Sequence, residues 1–260
     1  MPNVNQTVQT VAALDAISAE MSLLKHPFYQ QWSTGTLSAE RLRNYAIQYY
    51  DHVAAFPRYL SALHSRCDDL ETRQVLLENL IDEERGAENH PALWLKFAEA
   101  IGVTRAEVLA AKRLPAANAL IETFDHLSRE LPLTAGLSAL YVYESQVAEV
   151  ATAKIEGLQR FYGFRQASDE LDQREVHDQI DPDERRDTHD RHDKIDTHDG
   201  TDGGSGGLRF FTVHRDADPY HAQAVAQLIE RHGAGREERA IALEAARSAL
   251  KAVWDLLDCV

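Results

Sequence analysis

The chain has 260 residues, 44% of them hydrophobic, which is enough for the core of one large domain. Its net charge of −15 argues against sequence-independent nucleic-acid binding, and its two cysteines, Cys67 and Cys259, exclude a disulfide framework and fit a reducing compartment. No apolar run reaches membrane-spanning length, and the start M-P-N-V-N-Q-T lacks the basic and apolar regions of a signal peptide, so a cytoplasmic protein with no membrane partner is expected.

Long periodic apolar runs, with glycine and proline sparse outside one segment, predict an all-α domain. Residues 8–25 carry Val11, Leu14, Ile17, Met21 and Leu24 at helical spacing and read as the first helix. The aromatic, proline-interrupted stretch from His26 to Trp32 reads as its end or a kink. Ser38 is the expected cap of the next helix, which runs to about residue 67 with a kink at Pro57 and carries Tyr45, Tyr49, Tyr50 and His52. Residues 70–101 form a third helical region, broken near Gly86 and Pro91. Thr104 and Glu107 make a capping-box pattern for a short helix to about 112, and 115–130 gives another. The longest clean run, 134–163, holds Glu144 and Lys154. The last two helices span about 213–233 and 236–258, separated at Gly233-Ala234-Gly235.

Residues 165–207 are of another kind. They contain 11 Asp and 3 Glu against 6 Arg and Lys, no aromatic residue, and a G-T-D-G-G-S-G-G ending. Such a composition cannot bury a core and predicts a disordered acidic insert. The expected organisation is a helical bundle in two parts, 1–164 and 208–260, with the insert between them. The insert's His177, His189, His192 and His198 alternate with aspartate and are expected to bind metal weakly at most.

His214, Asp218 and His221 fall at relative positions 0, 4 and 7, which puts them on one face of a helix. Two imidazoles and a carboxylate on one face suit a metal. Pro219 lies within this stretch, which also reads as a polar helix start with a local turn. Glu83 and His90 repeat the spacing of seven, with Glu84 about 100° away around the helix. Taken alone, that pair also fits a charged, solvated face. Glu144 stands among Ala139, Leu140, Val142, Val147 and Val150, where a carboxylate is costly to bury unless it is paired or coordinated. A salt bridge inside the bundle is the alternative. Together these are three carboxylates and three histidines from three helical stretches, the ligand inventory of a two-metal site. Cys67, one turn after His64, has no nucleophile motif around it and reads as a packed thiol. Glu122 and His126 lack a third partner and read as surface residues.

Five stretches resemble the CADD family (Chlamydia protein associating with death domains), a group of haem-oxygenase-like di-metal oxidases in the TenA/PqqC superfamily. They are H-P-F-Y-Q-Q-W, N-Y-A-I-Q-Y-Y-D-H-V-A-A-F-P-R-Y-L-S-A-L-H-S-R-C-D-D-L, N-L-I-D-E-E-R-G-A-E-N-H-P-x-L-W, L-Y-V-Y-E-S-Q and H-x-x-x-D-x-x-H, and the likeness covers roughly residues 10–164 and 208–255. The resemblance implies a seven-helix, haem-oxygenase-like bundle with two metal ions, Fe/Fe or Fe/Mn, on Glu83, His90, Glu144, His214, Asp218 and His221. It implies O₂ as co-substrate, a reductant as partner and a homodimer as assembly. It also implies a role in making p-aminobenzoate for folate, with Tyr29 of the same chain as carbon source, Lys154 as amino donor, and Tyr45 and Tyr143 near the metals as radical relays. Phe210 stands where the family has a further tyrosine, and a phenylalanine carries no phenoxyl radical.

Two other readings stay open beside this one. A metal-free TenA/PqqC-like enzyme could be a pyrroloquinoline-quinone synthase-like oxidase, which leaves Glu144 and Asp218 without a role. It could also be a thiaminase-II-like hydrolase, which would need Cys67 as nucleophile. A non-enzymatic interaction protein would act through its acidic insert.

Overall fold

The computed structural model describes residues 4–165, 206–232 and 235–260, with side chains from Thr10 onward, and these residues contain no strand. The helices are α1 (Val4–Glu20), α2 (Pro27–Thr34), α3 (Ala39–Arg66), α4 (Leu70–Glu84), α5 (His90–Ala100), α6 (Arg105–Ala110), α7 (Pro115–Arg129), α8 (Leu133–Phe161), α9 (Arg209–His232) and α10 (Arg236–Cys259). Single 3₁₀ turns occupy Leu23–Lys25 and Gly206–Leu208. Seven of the α-helices have 15 or more residues, and α2, α5 and α6 are shorter.

Small polar residues start these helices. Ser38 accepts from the Arg41 amide, and Thr104 and Glu107 cap each other reciprocally, both as the sequence predicts, and Asp69 accepts from the Thr72 amide. The centre of the bundle is α8, buried on most of its circumference through Leu137, Leu140, Val142, Val150, Ile155 and Leu158. It packs against α9 and α10, with α1, α2 and α7 around it. No helix among the described residues is long and apolar enough to cross a membrane.

Two local expectations change. The stretch from His26 to Trp32 is a helix of its own rather than the end of one. His26 caps α2 through its Nδ1, and Pro27 takes the first turn, where no amide donor is needed. The break expected near Gly86 and Pro91 is present, between Glu84 and His90, and Pro91 lies in the first turn of α5. Helix α9 begins at Arg209, earlier than expected, so Pro219 sits in its interior and leaves the Arg215 carbonyl without its helical donor.

Of the acidic insert, residues 166–205 lie outside the described residues. Its last residue is packed. Gly207 is buried where an added Cβ would come within 2.6 Å of Ala100 and 2.7 Å of Phe164.

Helix α2 is held against the bundle at both ends. At its start, His26 Nε2 lies 3.1 Å from Asp258 of α10. Near its end, Trp32 Nε1 donates to the Lys154 carbonyl of α8 at 3.2 Å. Gly157 makes that approach possible, because a Cβ there would meet the Trp32 ring at 2.5 Å. Tyr29, one turn before Trp32, is thereby fixed beside Lys154.

Candidate metal centre

Four helices converge on one buried cluster. Helix α4 supplies Glu83, α5 His90, α8 Glu144, and α9 His214, Asp218 and His221. The spacing of seven between Glu83 and His90 does not run along one helix face. Gly86, at φ +80°, separates the two helices, and the residues meet because one ends α4 and the other opens α5.

Glu83, His90 and His214 direct ligand atoms to within 4.8 Å of one another. His90 Nδ1 lies 2.7 Å from Glu83 Oε2 without hydrogen-bond geometry, the disposition of two ligands converging on one cation. Glu83, Glu144, His214 and Asp218 share a small cavity with Tyr143 and Phe210. His221 stands at its rim, Nδ1 3.9 Å from Asp218 and Nε2 3.1 Å from Asp82.

The electrostatics suit a cation. Burial pushes the Glu144 carboxyl up to about 8 and Glu83 adds to the shift, against a hydrogen bond from Asn79 Nδ2 at 2.8 Å. Burial, then Glu144 and Glu83, hold Asp218 well above the carboxylate range. Burial and the neighbouring His90 keep His214 neutral. Its Nδ1 lies 2.7 Å from the Phe210 carbonyl, an acceptor only, so Nδ1 carries the proton and Nε2 is free to ligate. Glu144 Oε2 and His90 Nε2 have no hydrogen-bond partner among the described residues. Carboxylates and neutral imidazoles of this kind fit divalent metal ions of the iron–manganese type.

Beyond Tyr143 and Phe210 lies a second cavity of about 20 Å³, lined by Tyr29, Tyr49, Tyr143, Lys154, Phe211 and His214 among others. Lys154 is not a surface lysine. Its Nζ donates to the Tyr45 hydroxyl at 2.7 Å and lies 5.1–5.9 Å from the ring centres of Tyr29, Tyr45, Tyr49, Trp94 and Phe211. Ring faces favour the cation, but burial outweighs them and lowers the amine to about 7. The phenols form a continuous series. Tyr143 and Tyr49 hydroxyls are 2.8 Å apart, the Tyr49 and Tyr45 rings 5.0 Å, and the Tyr45 and Tyr29 hydroxyls 3.5 Å. Burial raises all four, so each stays protonated.

Residues 12–181 match the profile of the TENA/THI-4/PQQC family. The chain belongs to the TENA/THI-4/PQQC family. Over 245 residues it is 39% identical to a 4-aminobenzoate synthase of Chlamydia muridarum, covering 94% of this chain and 87% of that one. Over 254 residues it is 38% identical to a 4-aminobenzoate synthase of Nitrosomonas europaea, covering 94% and 88%. A domain of unknown function with a haem-oxygenase-like fold from Shewanella denitrificans superposes with a TM-score of 0.66 at 17% identity, covering 100% of this chain and 92% of that one. The expected bundle is therefore the fold. With synthases as relatives over nearly its whole length, this family member is an enzyme.

Several residues of the TENA/THI-4/PQQC site escape the sequence reading. Tyr49 follows Tyr45 by four and Asn79 precedes Glu83 by four, so helical spacing could have found both. Asp82 and Trp94, whose ring stacks on Tyr49 at 5.2 Å, carry no such signal. Phe210, in the family's tyrosine position, packs between His214 at 4.1 Å and Trp94 at 4.8 Å. Cys67 is buried with its thiol 3.8 Å from the Asp69 carbonyl and lines neither cavity. His126 pairs with Glu130, not Glu122.

Proposed function

We propose that this enzyme is a 4-aminobenzoate synthase that takes its aromatic carbons from its own Tyr29 and its nitrogen from Lys154, with O₂ as oxidant. The proposed ligands of two metal ions, Fe/Fe or Fe/Mn, are Glu83, His90, Glu144, His214, Asp218 and His221. A cytoplasmic homodimer supplied by an external reductant completes the reading.

The observation that carries it is one of size. The cavity between the carboxylate cluster and Lys154 measures about 20 Å³, room for one water-sized molecule. A free aromatic substrate does not fit. The ring to be processed must already belong to the wall, and Tyr29 is the wall tyrosine whose ring centre lies 5.4 Å from the Lys154 amine. The ring and Cβ of a tyrosine contain all the carbons of 4-aminobenzoate. The names of the relatives support the same product. The metal-free alternatives give no role to Glu83, Glu144 and Asp218, three buried carboxyl groups that face one cavity.

The metal ions, when bound, would supply the electrons that activate O₂. The chain's own residues do the rest. The Phe210 carbonyl orients His214, and Asn79 holds Glu144. Burial delivers the Lys154 amine in its neutral, nucleophilic form. The aromatic rings of Tyr29, Tyr49, Phe210 and Phe211 surround the amine side of the second cavity.

The test is isotopic. Protein made with ring-labelled tyrosine is loaded with metal, exposed to O₂ and reductant, and analysed by mass spectrometry. Labelled 4-aminobenzoate is expected, with Tyr29→Phe and Lys154→Arg yielding none. Undiminished product from Tyr29→Phe would refute the reading.

A further inference from the structure

We infer that Asp82 is a positioning residue that fixes the tautomer and direction of His221 and so completes one of the two metal positions. The inference rests on the dinuclear reading above.

His221 lies between two carboxylates. Its Nε2 is 3.1 Å from Asp82 Oδ2, and its Nδ1 is 3.9 Å from Asp218 Oδ1. A neutral imidazole has one ring proton, and a carboxylate can only accept it. The nearer carboxylate holds that proton on Nε2, which leaves the Nδ1 lone pair facing Asp218, the cluster's own carboxylate. With Asp82 removed, the proton moves to Nδ1 and bonds to Asp218. That arrangement blocks both groups from ligating one ion. A histidine ligand held through its other nitrogen by a carboxylate is a general device of metal sites.

The other ligands are held differently. His90 is buried at 2% exposure, and His214 is fixed by a backbone carbonyl of its own helix. The His221 side chain is 12% exposed and borders an open groove of about 310 Å³ between α4 and α9, with Asn79, Asp82 and Tyr220 along its walls. Packing alone leaves the ring room to turn into that groove. Pro219, two residues earlier, removes a helical hydrogen bond from the same turn. Asp82 itself is 57% exposed, and an ion pair that open contributes little to folding. It also sits at the C-terminal end of α4, where a negative charge opposes the helix dipole. Folding gives no reason for an aspartate there, whereas ligand positioning does.

The experiment is a titration of the full-length, chelator-stripped protein with Mn(II), following free Mn(II) by electron paramagnetic resonance. Wild type, Asp82→Ala, Asp82→Asn, His221→Ala and the Asp82→Ala/His221→Ala double variant are compared. Circular dichroism and thermal midpoints of the metal-free forms check the fold. In Asp82→Ala, one of two Mn(II) equivalents should weaken by about 10- to 100-fold while the other is unchanged. Asp82→Asn keeps an acceptor and should weaken less. The double variant should match His221→Ala, because Asp82 acts through that ring. Wild-type titration by Asp82→Ala overturns the inference, as does a further loss on top of His221→Ala. Failure of the wild type to take up two Mn(II) equivalents overturns the dinuclear reading itself, and is told apart because it appears before any substitution.

Discussion

Burial places the Lys154 amine at about 7, inside the range where small pH changes decide its charge. Its cation has no carboxylate within ion-pair distance among the described residues, so the neutral form rises with pH. Yield of labelled product per chain is expected to increase from pH 6 to pH 8 and then level off, and Lys154→Arg, always charged, should give none at any pH. Burial acts on His52 with the same sign. It is enclosed by Tyr49, Phe56, Tyr59, Phe124 and Tyr143, neither ring nitrogen has a hydrogen-bond partner among the described residues, and burial lowers it to about 3. The unfolded chain takes up that proton near pH 6.5 and the folded chain does not, so stability falls as pH drops from about 6.5 toward 3. His52→Leu should lessen this loss, measured as the difference in thermal midpoint between pH 7.5 and pH 5. His214, Asp218 and His221 were legible as candidates because metal chemistry restricts residue type and helical spacing repeats. Glu144 was legible from its apolar neighbours, and Glu83 and His90 through a spacing that the break at Gly86 makes coincidental. His52, Asn79 and Asp82 were not, because each takes its meaning from groups on another helix, and a single sequence does not reveal which helices meet.

At the scale of elements, the link between α2 and α8 can be tested without touching the site. A methyl at Gly157 would strike Trp32, and overpacking of that kind costs about 1–3 kcal/mol. Gly157→Ala should lower the thermal midpoint and cut product by displacing Tyr29, while Mn(II) uptake stays near wild type because Gly157 lies more than three turns beyond Glu144 on α8 and the other proposed ligands lie on α4, α5 and α9. Activity and metal titration measured together would check the separation. Helix existence and caps were readable from Ser38 and Thr104, whose side chains act within their own turn. Pro91 marked a real break, but Pro27 misled, because a proline looks the same in sequence whether it ends a helix or begins one, and only the His26 cap decides it.

For the whole molecule, metal and proton compete for one cluster. Glu144, raised to about 8, and Asp218, raised well above its ordinary range, bind protons in the folded metal-free state that the unfolded chain has already released. A carboxyl raised on folding gives stability that is lost as pH climbs through its folded value. Through Glu144, chelator-treated protein should therefore lose stability as pH rises from about 4.5 to about 8, a slope opposite in sign to that of His52 and overlapping its upper part. Metal loading should abolish the Glu144 slope and raise the thermal midpoint, by the equivalent of about 2.7 kcal/mol of stability at a hundredfold excess over the dissociation constant. The small cavity beside Lys154 has its own consequence at this scale. On the proposed chemistry, a pocket with no space for a visiting ring and a tyrosine spent from its own wall would make each chain good for one product molecule. Supply of the metabolite would then be set by ribosomes and by protein turnover instead of by substrate concentration.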